Sequence, residues 1–332
     1  MDSHYYDFSS LDLKVSMYDG AAEKRTMYMG GYRYMVKFGY VLDPDKRNST
    51  RTSYVNLPVN EYIGSNIFAA VGIPAQRTLL GEWRGQSVVA CLDFMQRLNP
   101  AYRLLHFKQL EVSMPGESGR SKARPEWDFV RHVLEDSPDL DAVREPAMRR
   151  FRQMICVDAL IGNYDRHSNN WGFIADGNAN IIDLAPIYDC GSSLAPHLSV
   201  EEMQARLADS KLMRDANLDS PTMAMNVHGK RRKYAYFLTG THGAEFRREL
   251  IDLWPRLGKD VTDPVIDAVP HLDDLHRDFY RATLDARRQY VLKPAYELAL
   301  KEQRDVGLDH DEAVHRPKVL PMQSHHSKRC AL

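Results

Sequence analysis

The sequence predicts an α+β chain in two unequal parts, a small β-rich lobe over residues 1–96 and a larger, mostly helical lobe over 97–303. Three observations predict it. The apolar pattern near the start has a period of about two, that beyond residue 97 a period of about 3.6. Turn residues cut the first third into short segments, whereas the remainder carries long amphipathic stretches. Finally, 332 residues with 43% hydrophobic and 27% charged side chains suit a chain of roughly two domains' worth, at about 150 residues each, with ordinary cores.

In the first part, Lys14 to Tyr18 and Arg33 to Phe38 read as strands, with Gly30-Gly31 as the turn before the second. Val59 to Val71 reads as a helix: Tyr62, Ile63, Ile67, Ala70 and Val71 share a face, and Gly72 and Pro74 end it. Gln76 to Leu80 and Gln86 to Phe94 read as further strands, joined by a turn over Gly81-Glu82-Trp83-Arg84-Gly85. Beyond residue 97, helices are expected at Ala101 to Glu111, Glu126 to Leu134, Asp141 to Gly162, Val200 to Ala208, Ala244 to Leu257 and Leu272 to Glu302. Met114 to Arg124, rich in Gly, Ser and Pro, is expected to be a loop, and residues 304–332 lose all periodicity and are expected to form a loosely ordered tail. Two lobes imply a cleft between them, where ligands tend to bind.

Composition removes several function classes. Lys+Arg is 44 against Asp+Glu 45, so there is no global basic field and no DNA binding is expected of the chain itself. No apolar run is long enough to span a bilayer, and MDSHYYDFSSLDLK has neither the basic nor the apolar region of a cleaved leader. Cys91, Cys156, Cys190 and Cys330 form no CxxC pair, which fits a reducing compartment. A cytoplasmic protein is therefore expected, with export by a route that needs no leader left open.

The most informative segment is Gly162-Asn163-Tyr164-Asp165-Arg166-His167-Ser168-Asn169-Asn170. It precedes a strand pair, Gly172-Phe173-Ile174 and Asn180-Ile181-Ile182, which leads on to Leu184-Ala185-Pro186-Ile187-Tyr188-Asp189. Asp165 and Asn170 can place two oxygens on one side of a loop, and Asp189 adds a third beyond the hairpin, a hard-cation set suited to Mg²⁺ and phosphates. Such residues also simply cap and turn loops. In the first lobe, Tyr34-Met35-Val36-Lys37-Phe38 buries a Lys in an apolar strand, which costs desolvation unless an anion meets it. Glu61, on the one helix of that lobe, can supply the anion; an edge-strand Lys and a solvated Glu are the plain alternative. Asp19-Gly20-Ala21-Ala22-Glu23-Lys24 is either a small-residue phosphate loop or an ordinary hairpin.

In this order, the segments Gly20-Ala21-x-Glu23-Lys24, Lys37 in its strand, Glu61, Gly162-Asn163-x-Asp165-Arg166-His167-x-x-Asn170 and Leu184-Ala185-Pro186-x-Tyr188-Asp189 closely resemble the HipA-like serine/threonine kinases over residues ~12 to ~300. The length is similar to the short, stand-alone, CtkA-like branch. The resemblance implies a bilobal protein-kinase-like fold and ATP- and Mg²⁺-dependent transfer of a phosphoryl group to a protein hydroxyl. It implies that Lys37 contacts the nucleotide phosphates and pairs with Glu61, that Asp165 orients or deprotonates the acceptor, and that Asn170 and Asp189 hold Mg²⁺. Gly20, Ala21, Ala22 and Glu23 would cover the phosphates, and Cys91, Asp93 and Phe94 would belong to the hinge beside adenine. His167 would bond the loop together rather than catalyse. An antitoxin partner, and self-phosphorylation near Ser16, four residues before Gly20, are further expectations. The same apparatus could serve a lipid or small-molecule hydroxyl, or a pseudokinase. Trp83, Trp171 and Trp254 are expected to pack the core, and Gly229 to Lys233 to form a solvated basic hairpin tip.

Overall fold

A six-stranded sheet forms the first part of the chain, in a computed structural model that describes residues 4–16, 24–40, 55–114 and 125–305. Its strands are β1 (Tyr5–Asp7), β2 (Lys14–Val15), β3 (Lys24–Met29), β4 (Tyr32–Phe38), β5 (Thr78–Trp83) and β6 (Gln86–Leu92), in the spatial order β1-β5-β6-β4-β3-β2. All pairs are antiparallel except β1 with β5. The run Val88 to Leu92 is apolar throughout because both faces of β6 are covered. Val88, Ala90 and Leu92 pack with Phe8, Met27, Val36 and Phe38 on one face, while Val89 and Cys91 join Tyr62, Ile63, Ile67 and Phe68 of α1 (Leu57–Ala70) on the other. The two-residue period of β4 aims Lys37 at the α1 side, one position beyond Val36.

Beyond the sheet come β7 (Arg103–His106), α2 (Phe107–Ser113), α3 (Trp127–Asp136) and α4 (Arg144–Ile161). The hairpin of β8 (Gly172–Ala175) and β9 (Ile181–Leu184) adds to β7 as a three-stranded sheet, and α5 (Val200–Ala208) and α6 (Ser210–Asp219) follow. The hairpin β10 (Thr222–Val227) and β11 (Lys230–Lys233) then leads into α7 (Tyr234–Thr239), α8 (Ala244–Leu253), α9 (Lys259–Asp267), α10 (Asp274–Arg287) and α11 (Lys293–Asp305). One core runs from α1 into the helices. In it, Trp171 stacks on Phe107 at 4.0 Å, and Trp127, Phe151 and Phe246 cluster. Trp83 packs half-buried at the sheet, and Trp254 stacks on Tyr296 at 4.4 Å. Cys91, Cys156 and Cys190 are buried free thiols.

Several sequence expectations need correction. Arg103 to His106 is a strand, not the first turn of a helix, because it pairs antiparallel with β8. Strand β5 starts later than expected and runs on through Trp83, so the turn is only Arg84-Gly85, both with positive φ. The long helix expected from Leu272 is split into α10 and α11 by a π-helical stretch, Arg288–Leu292. The basic run does form the expected hairpin, turning at His228-Gly229, with Lys230 and Arg231 exposed but Arg232 and Lys233 half-buried in β11, and Tyr236 and Phe237 lie in α7. The expected loop at 115–124, the phosphate-loop candidates Gly20, Ala21, Ala22 and Glu23, and the tail from 306 onward lie outside the described residues. Among the described residues, no helix is long and apolar enough to cross a membrane.

Candidate active site

Strand β4 and helix α1 bring Lys37 and Glu61 together across the sheet face. Lys37 Nζ donates to Glu61 Oε2 at 2.7 Å and to Asp189 Oδ1 at 2.9 Å, and both Lys37 and Glu61 are buried. Burial opposes the lysine charge, but the two carboxylates outweigh it and hold the ammonium well above its usual range. Burial likewise opposes ionisation of Asp189, yet Lys37, Lys24 and Arg166 keep its carboxyl below the usual carboxylate range. Lysine and aspartate are thus fixed as ions. Glu61 Oε1 also accepts from the Cys190 N–H at 2.9 Å, and Asn60 Nδ2 donates to Ser193 O at 2.7 Å. Small residues permit this approach: a Cβ on Gly64 would lie 2.7 Å from Cys190 Cβ, and one on Gly191 3.0 Å from Glu61 Oε2. Asp189 itself adopts φ 58°, a left-handed conformation that a non-glycine residue holds only under tertiary constraint.

The loop carrying Asp165 and Asn170 leaves α4 through Gly162, whose φ of 68° closes the helix. Asn163 then donates to Asp158 Oδ1 at 3.1 Å while its own Oδ1 accepts from the Asp165 N–H at 3.1 Å. Asn170 Nδ2 donates to Asp165 O at 2.8 Å, which turns the amide so that Oδ1 is left as an acceptor. Asp165 has a side chain 45% exposed, so its carboxylate can reach a solvent-borne group. The His167 ring accepts from the Asn169 N–H at 3.2 Å and lies 3.9 Å from Asp165, a loop-bonding position.

Arg166 holds these pieces in one frame. Its Nε and Nη2 donate to Asp158 at 2.9 and 3.1 Å, its Nη1 to the carbonyls of Asn170 (2.8 Å) and Tyr188, and its Nη2 lies 3.4 Å from Cys190 Sγ. Both Arg166 and Asp158 are buried. One guanidinium thereby joins the floor of α4, the Asp165–Asn170 loop and the Tyr188–Cys190 segment. Asp158 lies outside the sequence-predicted set, its only signal being an acidic residue among the buried apolar positions of α4. His106, whose Nδ1 is 2.7 Å from the Tyr188 hydroxyl, lies outside that set too.

At the end of β6 the geometry is more closed. Cys91 is a buried central-strand residue, and burial and Glu61 push its thiol up. Asp93 is committed to Arg33 at 2.7 Å and to the Met95 N–H at 2.9 Å, and the Asp93 N–H donates to Arg33 O. Phe94 is half-buried, its ring 6.1 Å from that of Tyr188.

A divalent cation fits the donor set. Among the described residues, no cluster of three or more His, Cys, Asp and Glu side chains could hold a metal alone. A carboxylate and an amide oxygen suit a cation such as Mg²⁺, which keeps waters and phosphate oxygens as its other ligands.

A β-rich lobe carrying a buried Lys–Glu pair, set against a helical lobe with an Asp–Asn loop and a second Asp, defines an enzyme of the protein-kinase type. Residues 16–269 match the family described as HipA-like C-terminal domain, and the chain belongs to that family. It is 27% identical over 326 residues to the serine/threonine-protein kinase CtkA of Helicobacter pylori strain J99, spanning 94% of this chain and 92% of that one. The crystal structure of a proinflammatory H. pylori kinase, CtkA, superposes with a TM-score of 0.79 at 27% identity, covering 90% of this chain and 99% of the other. HipA of Shewanella oneidensis MR-1, solved with HipB and operator DNA, shares the fold at a TM-score of 0.50 and 16% identity, covering 86% and 69%.

Proposed function

We propose that the chain is an ATP- and Mg²⁺-dependent serine/threonine protein kinase, with the nucleotide held where the two lobes meet near residue 96. The observation that carries the proposal is the buried Lys37 shared between Glu61 and Asp189, with Asp189 tied through Arg166 to the loop of Asp165 and Asn170. Lys37, fixed by Glu61, binds the nucleotide phosphates. Asn170 and Asp189 would hold Mg²⁺, which neutralises charge on the phosphates when bound. Asp165 orients the acceptor hydroxyl and takes its proton as the hydroxyl oxygen bonds to the γ-phosphorus and the bond to the β-phosphate oxygen breaks, releasing ADP. The protein supplies position and fixed charge.

A radiolabelled-ATP assay on generic protein substrates tests this reading. Wild type transfers label, and Asp165→Ala loses about 100-fold or more of the rate while still binding nucleotide. Equal, negligible transfer by both proteins would sink the proposal. We extend it to self-phosphorylation near Ser16: phosphopeptide mapping after incubation with ATP places label within the segment 3–26, and a map blank there removes this part. An antitoxin-type partner rests on the family resemblance alone, and an affinity purification from the native cell that brings down no stoichiometric protein removes it.

A further inference from the structure

Behind the loop of Asp165 lies a small, partly open cavity of about 40 Å³, walled by Gly162 and Tyr164 on one side and by α5, α6 and α10 on the other. Its chemistry is one-sided. Arg287 and Arg206 line it with His197, and no carboxylate is among its lining residues. Arg287 is 1% exposed, and its Nε and Nη1 are used on the carbonyls of Ala159, Asn217 and Ser220. Its Nη2 is buried with no hydrogen-bond partner, and so is the hydroxyl of Thr283 on the same wall. Arg206, half-buried, has no carboxylate within ion-pair distance among the described residues, and Glu202, one turn before it on α5, acts on its charge from further off. Burial lowers the proton affinity of both arginines.

A buried guanidinium without a counter-ion costs several kcal/mol, and each unpartnered buried donor adds to that. Folds seldom retain such a cost several times over at a single void. An anion seated in the cavity would offset it, at Arg206 directly and at Arg287 Nη2 and the Thr283 hydroxyl once these two buried groups turn toward it. Two arginines with no carboxylate in the cavity wall suit a phosphate, which carries about −1.5 to −2 charges near neutral pH. A guanidinium edge and a hydroxyl also suit tetrahedral oxygens.

We propose that this cavity is a phosphate-binding site, in which Arg287 Nη2, Arg206 and the Thr283 hydroxyl hold the oxyanion and His197 stands beside it. The site is separate from the nucleotide cleft and does not depend on the function proposed above. Its occupant is either free phosphate or the phosphate of a phosphorylated side chain.

Thermal-shift and calorimetric titrations of the full chain test it, with inorganic phosphate and N-acetyl-phosphoserine amide as probes and chloride at matched ionic strength as reference. Both probes are expected to raise Tm above the chloride reference in wild type and in Lys37→Met. Arg206→Gln and Thr283→Val, which spare the structural bonds of Arg287, should each weaken binding about tenfold. Tighter binding of the phosphoserine probe identifies a phosphorylated side chain as the occupant, and tighter binding of phosphate identifies the free ion. The proposal fails if neither probe exceeds chloride, if Arg206→Gln and Thr283→Val bind as wild type does, or if Lys37→Met abolishes binding and so moves the phosphate to the cleft.

Discussion

Two buried arginines hang from one turn of α4 and face opposite fates. Arg166 reaches Asp158, while Arg287 reaches the carbonyl of the adjacent residue, Ala159. Asp158 outweighs burial for Arg166 and raises its proton affinity well above the usual. Arg287 has only neutral carbonyls and the Tyr234 ring at 5.9 Å, and burial pushes it down to about 10. The side of α4 toward the cleft is therefore compensated charge for charge within the chain, and the side away from it is not. A fully paired ion fixes geometry, as the loop of Asp165 and Asn170 requires. An unpaired one leaves a demand that a ligand can meet.

The largest test of this contrast is Asp158→Ala. It strands the Arg166 guanidinium in the core and should cost about 3–5 kcal/mol by urea denaturation, with phosphoryl transfer falling alongside. Arg287→Met strands only carbonyls and should cost less, about 1–3 kcal/mol in the same measurement. A loss equal to that of Asp158→Ala would erase the distinction between the two sides. The smallest effect is in alkali. The folded-state pKa of Arg287 lies below its unfolded value, so the folded state binds fewer protons and this residue's contribution rises with pH. For Lys37 the folded value is raised, so its contribution is complete below about 10.4 and is lost as pH rises through the folded value. From about pH 9 to 11, the stability gap between wild type and Arg287→Met should widen, while that to Lys37→Met does not. Parallel slopes for the two variants would contradict the assignment.

What the sequence made legible follows from how local each feature is. Gly162 to Asn170 could be read because its loop bonds span five residues or fewer, such as Asn170 to Asp165. Lys37 and Glu61 could be paired because each breaks an apolar pattern on a recognisable element. Arg103 to His106 could not be read correctly, since its strand character comes from β8, some seventy residues on. Strand β1 was missed for the same reason, as it pairs in parallel with β5. Helix α9 was hidden by Pro264 inside it, and α6 by an exposed, polar surface. Arg287 gave no signal whatever: its acceptors are 67, 70 and 128 residues away, and what sets it apart is a missing partner.

The thiols buried beside the cleft have a practical consequence. Cys91 and Cys190 flank the Lys37–Glu61 pair, and burial makes both weaker acids than an ordinary thiol, with Cys190 pushed up to about 12. A thiolate is the species that alkylating agents attack, so neither sulfur reacts while the cleft floor stays closed. Pulsed alkylation read by peptide mapping, with Cys330 scored separately, therefore times the opening of this floor residue by residue. The chain carries its own clock for that motion, with no label to be introduced.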